Sequence, residues 1–338
     1  MNKFIKWVCI VCAAIIVLGL GSIGVGTLLG GKVFGYAFNF GSKEIYTSKN
    51  IVEDTVQINP FSELYLESDA SNIIIKLGNE NKVSYRTVEE LVPEITENDD
   101  RLSIISKRKT TFDFNMGFNN NQYIEIEVNE AGLKNLNVIV ASGDVSIEDL
   151  DIEGMIKSSS GDIAIVNCKE GKDIELKNSS GSITLTDANF ENITHKQSSG
   201  DTEFERVEAK TVIMGQSSGS TEIYSLKADS LESRVTSGSC KISNSEVPDL
   251  SIHVTSGQIN GKFIVSDNIY LHATSGDVNF EIEGKENDYN YAIKATSGDI
   301  KIADTKIEKK YEKDNGSDNT ITVDATSGDI VIGFVDAE

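Results

Sequence analysis

Ten Ser-Gly pairs punctuate the chain, and residues at fixed offsets from them are the ones whose types could do chemistry. Take each glycine as position zero. The position four before it reads Lys157, Lys177, Lys196, Gly215, Arg234, His253, His272 and Lys294, with Ile139 and Asp324 ending the run. A column of cations in successive units predicts a stripe able to hold a polyanion such as a teichoic acid. The competing reading is charge balance against Glu175, Glu203, Glu222 and Glu232. His253 and His272 fall in register and could share a metal, but two ligands without a third make a weak site. His195 falls at an inward offset and reads as a core or rim residue.

Asp follows glycine at Asp144, Asp162, Asp201, Asp277, Asp299 and Asp329, while Ser182, Ser220, Ser239 and Gln258 break the column. Calcium-binding β-rolls use a nine-residue period, so these Asp residues read as turn formers. A serine nucleophile is not expected. A nucleophile is not repeated ten times, and Arg86, Arg101, Arg108, Arg206 and Arg234 do not gather in one groove. The expectation is therefore a protein that is not an enzyme, with no catalytic residue, metal or cofactor. A net charge of −22 also argues against a nucleic-acid partner.

The elements that must carry these columns follow from the spacing. Gly143, Gly161, Gly181, Gly200, Gly219, Gly238, Gly257, Gly276, Gly298 and Gly328 are separated by 18, 20, 19, 19, 19, 19, 19, 22 and 30 residues. Offsets −7, −5, +2 and +4 are mostly apolar and alternate with polar positions, as strands require. A unit this short cannot bury its own apolar face, so equivalent positions must stack. The prediction is an all-β, single-stack β-solenoid of about ten 19-residue coils, each with two short strands and a bend at Ser-Gly. The serine before glycine is expected to point inward and hydrogen-bond within the stack. Cys168 and Cys240 lie four coils apart, about 19 Å, and should both be free thiols.

The N-terminus reads differently. Lys3 and Lys6 precede an uncharged run from Trp7 to Leu29, long enough as a helix to span about 30 Å of bilayer core. The run is too long for a cleaved signal peptide and predicts a retained single-pass anchor. The N-terminal lysines orient it with the N-terminus in the cytoplasm and the C-terminal domain outside the cell. Ser22, Gly26 and Gly30 form a small-xxx-small face on which two anchors could pack. The expected organisation is 1–35 cytoplasmic tip and transmembrane anchor, 36–58 linker, 59–135 irregular β cap region and 136–338 repeat solenoid. Within the cap region, Ser71-Asn72-Ile73 with Ile75 reads as a degenerate copy of the bend.

Units such as Thr274-Ser275-Gly276-Asp277-Val278 and Ala325-Thr326-Ser327-Gly328-Asp329-Ile330, behind one anchor, resemble the bacterial "putative adhesin" β-solenoid family. This is a domain of unknown function that includes Lia-type envelope proteins of Gram-positive bacteria. The resemblance covers roughly 60–338 and brings no catalytic residues with it. It implies a non-catalytic, adhesin-like surface in the cell envelope, for which the basic column names a wall polyanion as the candidate partner. The alternatives are an accessory to an envelope-stress system, acting on a sensor protein in the membrane, and a glycan-active enzyme.

Overall fold

The computed structural model describes residues 51–108, 122–130 and 132–336. The expected anchor, including Ser22, Gly26 and Gly30, lies outside the described residues. Among the described residues no helix is long and apolar enough to cross a membrane.

The alternating positions form parallel strands stacked in register. At offset −7, Ile193, Val212, Leu231, Leu250 and Ile269 lie on successive strands, each beside its copy. All five are buried. Each turns toward the interior because strand side chains alternate faces, and each meets its equivalent because the units share one length. The coil bends at glycine and again six residues later. At the second bend Asp149, Asn167, Asp187, Arg206, Ser225, Asn244 and Phe263 adopt φ of 50–59°. After it comes a third inward run that the two-strand reading did not include. It begins at Leu150, Cys168, Ala188, Val207 and Leu226, all buried.

The glycine bend tolerates no side chain. Gly238 has φ +139°, and a Cβ there would lie 1.8 Å from the Gly219 carbonyl oxygen. The same approach recurs along the column, with each glycine backed by the carbonyl of the coil before it. Large and small residues also compensate between coils. Gly261 occupies an inward offset, and the Phe280 ring of the next coil fills its place, 2.2 Å from where a Cβ would be.

The order of coils in space is not their order in the chain. Asn268–Ser275 pairs with Thr320–Ser327, which pairs in turn with Asn290–Ser297. The last coil is thus inserted between the two that precede it. The other end repeats this device. Glu63–Ser68 lies between Gly132–Val140 and Arg101–Ser106, while Asn72–Leu77 lies between Val145–Glu148 and Tyr123–Val128. Residues 63–77, and the strands Arg101–Ser106 and Tyr123–Val128, therefore add two coils to the ten that carry Ser-Gly. Ile73 and Ile75 pair with Val145 and Ile147, in the register expected of a degenerate bend at Ser71.

Antiparallel strands close both ends. Glu94–Asn98 lies along Arg101–Ser106, and Lys82–Val88 lies between Tyr123–Val128 and Ile51–Gln57. At the other end Lys310–Lys313 lies along Asn290–Ser297, and Thr305–Ile307 along Ile300–Ile302. Such strands occupy backbone donors and acceptors that an open coil would offer to another chain.

Candidate functional site

The basic column sits on the outer side of the strand that precedes glycine. Lys157, Lys177 and Lys196 follow one another in register. Lys157, Lys196, Arg234 and Lys294 are exposed, whereas Lys177, His253 and His272 are half-buried. The column is not continuous. Insertion of the last coil places Asp324 between His272 and Lys294, so Lys294 is cut off from the others by a carboxylate. Gly215 leaves a second gap, between Lys196 and Arg234.

Two carboxylates two residues upstream share this face. Glu175 lies 2.8 Å from Lys177 Nζ and 3.3 Å from Lys196 Nζ. Those two ammonium groups, Lys177 first, hold its carboxyl below the usual carboxylate range despite some desolvation. Arg234 pairs with Glu232 at 2.6 Å. Among the described residues Lys157 and Lys294 find no ion-pair partner. Glu203 and Glu222 lie on the strand after glycine, in register with each other, and Glu222 pairs with Lys241. The charge-balance reading therefore describes part of this face, and the free cation at Lys157 heads the lysine run.

His253 stacks on Tyr270 and His272, with ring centroids 5.1 and 5.8 Å apart. Desolvation, then the Arg234 and His272 charges, hold its imidazole below the usual value. Among the described residues no three His, Cys, Asp or Glu side chains group in a way that could hold a metal. A buried network surrounds His195. Its Nε2 lies 3.1 Å from Gln197 Oε1 and 2.9 Å from Thr202 Oγ1, while its Nδ1 has no partner. Burial lowers its pKa to about 4.

The Asp column is a hydrogen-bond ladder. Asp144 Oδ1 accepts from the Asp162 backbone N–H at 2.9 Å, and Asp162 Oδ1 from that of Ser182 at 2.7 Å. Asp277 Oδ1 accepts from Asp329 N–H at 2.9 Å, and Asp329 Oδ1 from Asp299 N–H at 2.8 Å. Each carboxylate thus satisfies a backbone donor of the adjoining coil at the bend. A second ladder was not anticipated. Asn178 Nδ2, Gln197 Nε2 and Gln216 Nε2 donate to the carbonyls of Gly161, Gly181 and Gly200 at 2.9, 2.5 and 2.6 Å.

The serine before glycine does not point inward. Ser160, Ser180, Ser199, Ser218, Ser237, Ser256, Ser275, Ser297 and Ser327 are all exposed. The strand alternation breaks at the bend, so the hydroxyls face water. Cys168 and Cys240 are free and buried. Burial pushes each thiol up to about 11, which leaves neither as an active nucleophile.

The Toastrack DUF4097 family model matches residues 61–170 and 169–333. A "putative adhesin" from Bacteroides fragilis shares 17% identity over 65% of this chain and 97% of its own, with a TM-score of 0.42. One from Parabacteroides distasonis shares 14% over 85% and 98%, also with a TM-score of 0.42. A "putative cell adhesion protein" from Clostridium sporogenes shares 14% over 85% and 100%, with a TM-score of 0.21. No curated protein matches the chain. With both family matches falling on the stacked coils and their inserted ends, the chain belongs to the Toastrack DUF4097 family.

Proposed function

We propose that this chain is a membrane-anchored envelope protein whose β-solenoid acts outside the cell as a non-catalytic, adhesin-like binding surface for an anionic wall polymer. The observation that carries this reading is the run Lys157, Lys177 and Lys196 on three consecutive coils in register. Strand spacing repeats the cation about every 4.8 Å on a rigid sheet. Glu175 offsets one of the three charges, and Lys157 stays free. A polymer with repeated phosphates matches such a run better than a compact ligand does. The buried thiols and the buried His195 support a non-catalytic role, since none offers a nucleophile or base at the surface.

The test is co-sedimentation of the full chain, in detergent, with purified Gram-positive sacculi carrying or lacking teichoic acid. Binding that requires teichoic acid, fades with salt and is lost in a Lys157→Ser, Lys177→Ser, Lys196→Ser variant is the expected result. No binding under any condition sinks the wall-polymer reading and turns attention to a protein partner in the membrane.

A further inference from the structure

The coil of Gly276 is one residue shorter at its second bend than the coil before it. Gly261 pairs with Phe280 and Ile264 with Ile282, so Lys262 and Phe263 together oppose Glu281 alone. Such a bulge re-aims the side chains it carries. Here they are turned outward. Phe263 is 39% exposed, and Lys262 Nζ lies 4.7 Å from the centre of its ring.

Phe263 is the wrong residue for folding at this place. Its φ is +56°, a backbone conformation that Asn and Asp adopt readily and a bulky aromatic does not. Asp149, Asn167, Asp187 and Asn244 hold the same bend in four coils, and Arg206 and Ser225 in two more, so Phe263 is the one aromatic residue among the seven. An exposed ring recovers little of that cost by burial.

Beside the ring lies an open hollow of about 630 Å³, lined by Asn260, Asn279, Lys262, Phe263, Glu281 and Gly333. Gly333 pairs with Glu281 and has no side chain to fill the space. Asn260 and Asn279 face each other across adjacent strands, and neither side-chain amide makes a hydrogen bond among the described residues. Glu281 Oε1 is buried and also has no partner. A buried carboxylate oxygen left unpaired costs stability and calls for a donor that the protein does not supply.

We propose that this hollow is a carbohydrate subsite, which takes a hexopyranose unit of a glycan with its C–H face against Phe263. Glu281 Oε1 accepts from a sugar hydroxyl, and the two amides both donate and accept, as hydroxyl or N-acetyl groups require. The combination separates a sugar from other occupants. A phosphate would meet the Glu281 carboxylate, and of the two lining lysines Lys241 is already paired with Glu222 and Lys262 lies over the Phe263 ring. An apolar segment or a lipid surface would leave three polar groups unpaired. The inference rests on the envelope-binding reading only in supplying a glycan to bind, and it uses a different face of the coil from the lysine run.

The experiment is saturation-transfer NMR and calorimetry on the full chain with N-acetylchitotetraose and with cellotetraose as probes. Phe263→Asn installs the residue that Asn167 and Asn244 supply at the equivalent bend, so it should fold with equal or higher melting temperature. It should weaken the bound probe by at least ~10-fold, as should Glu281→Ala. Three results overturn the proposal: neither probe binding the native chain, Phe263→Asn binding as well as the native chain, or Phe263→Asn being clearly less stable. The lysine variant used with sacculi should bind the probes normally. Failure of the native chain to bind sacculi while it still binds a probe therefore counts against the polyanion reading and not against this one.

Discussion

The α-carbon of Gly238 faces the carbonyl oxygen of Gly219 so closely that a methyl group there would sit 1.8 Å from it. Backbone conformation and proximity act together at this point. The φ of +139° disfavours any L side chain, and the adjoining coil leaves no room for one. Gly238→Ala should cost at least ~3 kcal/mol, because neither backbone can move without breaking ladder bonds. Gly316 supplies the control: its φ is +69° and nothing lies within 4 Å of a Cβ. Gly316→Ala should cost only about 1 kcal/mol, the backbone term alone. Urea denaturation of both variants checks this, and similar losses at the two sites would refute the steric account.

The Asp ladder predicts a local effect. Asp329 N–H donates to Asp277 Oδ1 at 2.9 Å, across 52 residues of chain. Asp277→Ala should cost about 1 kcal/mol, as removal of a helix-capping acceptor does. Asp277→Asn should lose less, since an amide oxygen also accepts. Hydrogen exchange at the Asp329 amide is the direct reading: fast in the Ala variant and slow in the Asn variant. Unchanged exchange in both would mean that the carboxylate does not hold that donor.

His195 gives the fold an acid sensitivity of known sign. Desolvation lowers its pKa from 6.5 to about 4, so between these values the unfolded chain binds more protons. Its contribution is complete above pH 6.5 and is lost as pH falls toward 4. The loss reaches ~3 kcal/mol at most. Met214 occupies the equivalent place in the next coil, so His195→Met is the natural comparison. The native chain should lose stability more steeply than this variant from pH 6.5 to 4.5, with the carboxylates common to both. Parallel stability curves for the two proteins would show that His195 does not titrate on unfolding.

Much of this architecture was legible in the spacing. A constant unit with glycine at one offset and apolar residues at −7, −5, +2 and +4 admits little but stacked coils, and the structure has them in that register. What escaped was whatever depends on neighbours in space. The exposure of Ser160 or Ser237 follows from the bend, where alternation stops. Asp324 interrupts the basic column only because the last coil inserts, and nothing in the 30-residue gap before Gly328 signals that insertion. Other features had a signal that offsets alone could have found. Asn178, Gln197 and Gln216 are polar at an inward offset, −3, which is the mark of a buried ladder. Phe263 stands where the other coils with this bend carry Asp, Asn, Arg or Ser, so a reading at +6 would have exposed it.

Coil insertion can be tested without a crystal. Ser275 and Ser297 each lie beside Ser327 in register, and all three are exposed. Ser275 and Ser297 belong to consecutive coils in the chain, yet the inserted strand separates them by two steps, about 10 Å. A disulfide needs α-carbons within about 7 Å. With Cys9 and Cys12 replaced by serine, mild oxidation should crosslink Ser275→Cys with Ser327→Cys, and Ser297→Cys with Ser327→Cys. The pair Ser275→Cys with Ser297→Cys should stay reduced. Sequential stacking makes the opposite forecast, because Ser275 would then sit directly beside Ser297. A crosslink in that third pair alone would restore chain order to the coils, remove Asp324 from between His272 and Lys294, and extend the basic column by one cation.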